Sequence, residues 1–193
     1  MTHFKIDPAS VAFDIDGVVA DTMTLFLDIA RDEYNIDGIR YEDITSYALE
    51  ECLDIDPVTI GDIITKILDG THAAPLKPID GASEVLTRFG KKYNPILFVT
   101  ARPVLGDIQE WILNALPFHP TSIDIVATGS FDGKADALLR KGISYFVEDR
   151  LETCFLLGKA GITPVLFKQP WNRANHPFQE VGTWYELESL IEL

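Results

Sequence analysis

At 193 residues, 47% apolar and 24% charged, the chain has an ordinary globular composition and is long enough to bury a full core in one domain with room for a small insert. Thirty acidic against 16 basic residues set the net charge at −14, which repels nucleic-acid polymers and anionic membrane surfaces and excludes both as expected partners. Two cysteines without CxxC spacing, Cys52 and Cys154, read as buried free thiols, and the scattered His3, His72, His119 and His176 lack zinc spacing and read as surface or loop residues.

The N-terminal stretch lacks a signal peptide's apolar core and no run approaches a membrane span, so a soluble cytoplasmic protein is expected. A lead-in ends at Pro8, and a strand over about 10–15 runs into Asp14-Ile15-Asp16-Gly17. Two readings compete for that loop. Asp and Gly are common in turns for backbone reasons alone. Two carboxylates one residue apart at a strand end also form a metal site or an acid/base pair, and side by side they are costly without a cation. A calcium loop is excluded: Gly17 is misplaced and the twelfth position from Asp14 is Leu25, not a bidentate Glu.

Amphipathic spacing predicts a helix from Thr22 to Tyr34, capped by Asp21, and a second from Pro57 to Asp69, closed by Gly70. Between them lies a polar piece dotted with Tyr41 and Tyr47. Past Pro75, Pro78 and Gly81 the pattern changes to alternation. Helices are expected at 80–92, 104–115, 132–141, 151–160 and 184–192, and strands at 95–100, 122–128, 144–148 and 163–168. Alternation with near-continuously apolar strands means an α/β fold, a three-layer Rossmann-like parallel sheet with helices on both faces. Residues 22–78 are then a small helical cap inserted after the first strand, and 1–21 with 79–193 form the core. The insert holds 12 acidic and 4 basic residues, so most of its charge must face away from any anionic substrate.

Three more strand or helix ends carry polar chemistry. Thr100-Ala101-Arg102 ends one strand with a hydroxyl and a guanidinium. Gly133-Lys134 opens a helix, where an ammonium joins free N–H groups and the positive dipole end. Glu148-Asp149 ends another strand. Each has a plain reading: a cap for Thr100, a solvated lysine for Lys134, an exposed turn for the acidic pair. Together, Asp14, Asp16, Glu148 and Asp149 would repel one another unless they hold a hard cation, and oxygen donors with open positions suit Mg²⁺. Thr100 and Lys134 supply donors for a phosphoryl group, with one carboxylate left to attack it.

With these residues in order, Asp14-x-Asp16-Gly17 with Asp21, Thr100, Lys134 and Glu148-Asp149, the whole chain resembles the haloacid dehalogenase superfamily. The resemblance implies that Asp14 is the nucleophile and forms an aspartyl-phosphate, and that Asp16 protonates the leaving alcohol and then activates water. It implies phosphoryl binding by Thr100 and Lys134, and Mg²⁺ held by the Asp14 carboxylate, the Asp16 backbone carbonyl, Asp149 and, directly or through water, Glu148. An Asp at position 16 points to a phosphatase or phosphomutase, because an alkoxide leaving group needs a proton and the later water needs a base.

Within the superfamily the chain looks most like the 5'-nucleotidase group that includes the 5'(3')-deoxyribonucleotidases. The features are the short helical insert, Pro78-x-x-Gly81-Ala82, Thr100-Ala101-Arg102-Pro103, Gln169-Pro170-Trp171-Asn172-Arg173 and Thr183-Trp184. It departs from the animal deoxyribonucleotidases at Thr22 and at Ala101-Arg102. The expected substrate is a small phosphorylated metabolite, a nucleoside monophosphate first, bound partly by Ala101 and Arg102. Phe26, Tyr41 or Tyr47 are candidates to stack on a base, and Arg102 or Arg173 to meet a further polar group. The alternatives are a phosphatase or phosphomutase for another metabolite such as a sugar phosphate, and a non-catalytic phosphate-binding module.

Overall fold

The apolar run Val11–Phe13 forms strand β1, buried at all three residues, in the middle of a six-stranded parallel sheet. The computed structural model describes residues 5–117 and 119–192; the expectation for His3 lies outside them. The strands are β1, β2 (Ile96–Thr100), β3 (Ile123–Ala127), β4 (Tyr145–Glu148), β5 (Thr163–Phe167) and β6 (Gln179–Val181), in the order β3-β2-β1-β4-β5-β6. Register sets Phe13 beside both Phe98 and Val147.

Successive residues of a strand point to opposite faces, and this period of two sorts the core into two layers. Phe13, Phe98 and Val147 pack on one face with α3 (Ala82–Lys92), α4 (Gly106–Ala115) and α7 (Trp184–Leu190). Ala12, Leu97, Val99 and Phe146 pack on the other with α5 (Gly133–Arg140) and α6 (Leu151–Lys159). The Phe13 ring meets Phe89, Phe98 and Trp184 at centroid distances of 5.4, 6.1 and 5.5 Å.

The residues between β1 and α3 carry α1 (Thr22–Tyr34), α2 (Pro57–Asp69) and single 3-10 turns at Tyr41–Asp43 and Leu49–Glu51. Asp21 accepts from the Thr24 amide to cap α1, and Asp56 accepts from the Val58 and Thr59 amides to cap α2. Phe26, Ile29, Ile44, Leu49, Ile60, Ile63 and Ile67 form an apolar cluster of their own, joined from the core side by Trp171. Entry to and exit from this segment are tied together: Asp21 N donates to Lys77 O, and Ile79 N to Val19 O, both at 2.8 Å.

The helices expected at 80–92, 104–115, 132–141, 151–160 and 184–192 each come out one or two residues shorter, and the structure departs from expectation in three further places. Strand β1 stops at Phe13 rather than residue 15, because the Ile15 carbonyl accepts from the Val19 and Ala20 amides at 2.9 and 2.8 Å and bends the chain into a turn. Strand β6 was not expected, since three residues with a polar edge carry no readable periodicity. Cys154 is buried but Cys52 is only half-buried, its thiol facing the Ser46 and Leu49 carbonyls from a 3-10 turn too short to enclose it. His72, His119 and His176 lie outside the helices and strands. Among the described residues, no helix is long and apolar enough to cross a membrane.

Candidate active site

In an open parallel sheet ligands bind outside the carboxyl ends of the strands, at the point where strand order reverses. Here that point is β1, with β2 on one side and β4 on the other. Asp14 follows β1, its amide donating to Val147 O at 2.9 Å; Thr100 is the last residue of β2; Glu148 ends β4 and Asp149 follows it. Lys134 stands in the first turn of α5, which delivers it across the sheet face to the same place.

Lys134 is not a solvated lysine and Glu148-Asp149 is not an exposed turn, and Thr100 caps no helix, since α4 begins at Gly106. Thr100, Lys134 and Glu148 are fully buried, and Asp14 and Asp149 are 5% and 3% exposed. The Lys134 ammonium donates to Asp14 Oδ2 at 2.6 Å and to Glu148 Oε2 at 2.8 Å. The other Asp14 oxygen accepts from the Ile15 amide, and the Thr100 hydroxyl accepts from the Arg102 amide.

Asp14, Glu148 and Asp149 offer oxygens that all lie within 4.8 Å of one another. Three carboxylates around one ammonium leave the cluster short of positive charge. Burial, opposed by Lys134, pushes Asp14 well above the ordinary carboxylate range and also raises Glu148. Burial and the neighbouring Asp14 lift Asp149 to about 7. Crowded, buried, all-oxygen donors fit a hard divalent cation such as Mg²⁺.

Asp16 stands apart from this cluster. Its carboxylate is gripped by Arg102, Nε to Oδ2 at 2.9 Å and Nη2 to Oδ1 at 2.8 Å, and accepts from the Thr22 hydroxyl at 2.6 Å. Its side chain is 26% exposed, so one edge still meets solvent. Burial pushes its pKa up, but the Arg102 charge and the hydrogen bonds outweigh that and hold it below the ordinary value.

Gly17 allows this crowding. Its φ of +73° is a left-handed conformation, and a Cβ there would stand 2.2 Å from Asp149 Oδ2. The segment after β5 braces the same carboxylate. Trp171 Nε1 donates to Asp149 Oδ2 at 2.9 Å, Asn172 Nδ2 to Asp149 O at 2.7 Å, and Gln169 Nε2 to Gly17 O at 2.7 Å.

A cavity of about 320 Å³ opens over these groups. Asp14, Asp16, Thr100, Ala101, Arg102, Lys134 and Asp149 all line it, and Glu148 lies beneath, against Lys134. The remaining walls are mainly apolar: Met23, Phe26, Ile64, Ile67 and Leu68 from the inserted segment, and Pro103, Phe131 and Trp171 from the core. Phe26 and Tyr47 line the cavity as well. Tyr41 does not: it packs on Trp171 at 5.7 Å and donates to Gln169 Oε1 at 2.8 Å. Arg173 is also outside, engaged with Glu180 and Asn172. Sequence reasoning missed the bracing by Gln169, Trp171 and Asn172 and the wall residue Phe131; the signal for the first three was a polar and aromatic run directly after a buried strand.

The model of the family described as 5' nucleotidase, deoxy (pyrimidine), cytosolic type C protein (NT5C) matches residues 8–193. Among solved structures, a haloacid dehalogenase-like hydrolase from Streptococcus pneumoniae is similar at TM-score 0.62 and 14% identity, over 98% of this chain and 99% of that one. A haloacid dehalogenase-superfamily hydrolase from Ehrlichia chaffeensis gives 0.55 and 16%, over 94% and 95%. CbbY from Rhodobacter sphaeroides, solved in complex with phosphate, gives 0.56 and 16%, over 92% and 95%. At such identities the likeness is one of fold. No curated protein matches.

Proposed function

The chain belongs to the 5' nucleotidase, deoxy (pyrimidine), cytosolic type C family and is a phosphatase of the haloacid dehalogenase superfamily; from that premise we propose that it hydrolyses nucleoside monophosphates, with Mg²⁺, through an aspartyl-phosphate on Asp14. The observation that carries the reading is the contrast between two aspartates two positions apart. Asp14 sits in the acidic cluster under Lys134, while Asp16 sits outside it, paired with Arg102 and open along one edge to the cavity. Two carboxylates in opposite electrostatic settings are suited to two roles.

Asp14, Asp149, Glu148 and the backbone carbonyl of Asp16 would hold the ion, which supplies charge neutralisation between carboxylate and phosphoryl oxygens when bound. Lys134 and Thr100 orient the phosphoryl group, with Ala101 and Arg102 beside it. A carboxylate oxygen of Asp14 attacks phosphorus as the ester P–O bond breaks. Asp16 gives a proton to the departing alkoxide; the incoming dianion competes for Arg102 and raises the proton affinity of Asp16. Asp16 then takes a proton from the water that attacks the acyl phosphate, releasing inorganic phosphate and restoring Asp14. Residues 22–78 act as a cap over the cavity, keeping bulk water out and shaping the space for the leaving group.

Phosphate release from a panel of nucleoside monophosphates and sugar phosphates, with Mg²⁺ and with chelator, tests this. Metal-dependent release concentrated on nucleotides is the expected result. Equal rates on sugar phosphates would overturn the substrate assignment, and no release from a folded, Mg²⁺-loaded sample would overturn the mechanism.

A further inference from the structure

The cavity is asymmetric in charge. Among the described residues its lining holds two basic side chains, Arg102 and Lys134, and both stand at the buried end. Arg102 spends Nε and Nη2 on Asp16 and points Nη1 at the Ile67 carbonyl, 3.4 Å away. Lys134 spends its ammonium on Asp14 and Glu148. At the open side the lining turns apolar, with Ile64 40% exposed, and then acidic at Glu50, an exposed residue of the Leu49–Glu51 turn. Among the described residues no basic side chain lines the open side; Arg150 stacks on the Tyr47 and Phe131 rings and pairs with Glu152 without lining the cavity, and Glu50 repels a second anion.

We infer that Glu50 is a specificity residue that selects phosphomonoesters whose alcohol part is uncharged or cationic at its outer end and rejects those with a second phosphate or a carboxylate. This rests on the phosphatase mechanism proposed above and narrows its substrate class. The apolar walls accept a flat or aliphatic body, and the Glu50 carboxylate accepts hydrogen bonds from amino or N–H groups on its outer rim. A nucleoside monophosphate with one phosphoryl group meets this requirement; bisphosphates and phosphorylated carboxylic acids do not.

A matched set of aryl phosphates reads the inference directly: para-(aminomethyl)phenyl, para-methylphenyl and para-carboxyphenyl phosphate, assayed at low and high salt. The wild-type protein is expected to favour the aminomethyl over the carboxyl compound by about tenfold in kcat/KM, the size of one unscreened charge contact. That preference should shrink severalfold at ~1 M salt, where the Debye length is about 3 Å. Glu50→Gln should remove most of the preference and Glu50→Lys should reverse it. Unaltered preference in both variants, with the phosphatase active, would overturn the role of Glu50 and leave the mechanism standing. Release from nucleoside monophosphates but from none of the three aryl compounds would overturn this inference and leave the mechanism standing, whereas no release from either set by the folded, Mg²⁺-loaded wild type would overturn both.

Discussion

The Arg102 guanidinium holds the Asp16 carboxylate in a two-point grip, at 2.9 and 2.8 Å, across a sequence separation of 86 residues. The fork geometry fixes orientation as well as charge, and a lysine cannot reproduce it. The same contact joins the loop after β1 to the loop after β2, so the position of Asp16 depends on a residue from another strand.

Arg102→Ala is therefore expected to lower kcat about 10- to 100-fold through loss of positioning, and Arg102→Lys to recover only part of it. With the guanidinium gone, Asp16 loses the charge that holds its pKa down, so the alkaline limb of the kcat/KM profile, where Asp16 must still carry the proton it gives to the leaving group, should move to higher pH. A profile of unchanged shape would mean that Arg102 does not govern Asp16.

Mg²⁺ binding should depend on pH in a defined direction. Asp14 and Glu148 are raised and Asp149 stands at about 7. A carboxyl group raised on folding keeps its proton in the native state above the unfolded pKa, so without metal its ionisation weakens the fold as pH climbs toward 7. The cation needs the ionised forms and competes with those protons. The rise in Tm caused by Mg²⁺ should therefore be small at pH 5 and grow through pH 8. A metal-induced shift of equal size across that range would count against these three carboxylates as the ligands.

Gly17→Ala places a methyl 2.2 Å from Asp149 Oδ2 in a left-handed backbone conformation. The conformational cost alone is about 1 kcal/mol, and the clash must displace Asp149. Isothermal titration should show weaker Mg²⁺ binding together with a lower Tm.

Trp171→Phe keeps the aromatic contact with Tyr41 but deletes the N–H that holds Asp149 Oδ2 at 2.9 Å. Removing such a supporting hydrogen bond typically costs 10- to 100-fold in metal affinity. The effect is expected at the lower end of that range and should appear as a higher Mg²⁺ concentration for half-maximal activity.

Asp14→Asn should reduce turnover by about 10⁴-fold or more, because a neutral amide oxygen is too weak a nucleophile to form the acyl phosphate. Trapping with labelled substrate followed by acid quench should yield a phosphorylated protein from wild type and none from this variant. A variant retaining substantial turnover would remove Asp14 as the nucleophile.

Much of this molecule is encoded locally. Periodicity and caps placed α1 at Thr22–Tyr34 and α2 at Pro57–Asp69, and the fully buried apolar run of β2 announced its own strand. Apolar strands ending in Asp14, Thr100 and Glu148-Asp149 marked the site, since parallel strands must end at a common edge and polar residues there have few other uses. Strand β6 was illegible because three residues at a sheet edge need no pattern of their own. What only the tertiary structure decided is which charges face one another. Lys134 meets Asp14 from 120 residues away, Trp171 meets Asp149 from 22, and Arg102 belongs to the cavity while Arg173 turns to Glu180. Secondary structure follows from contacts a few residues apart, whereas electrostatic partnership depends on distance in space, and that distance exists only once the sheet order brings separate strand ends together.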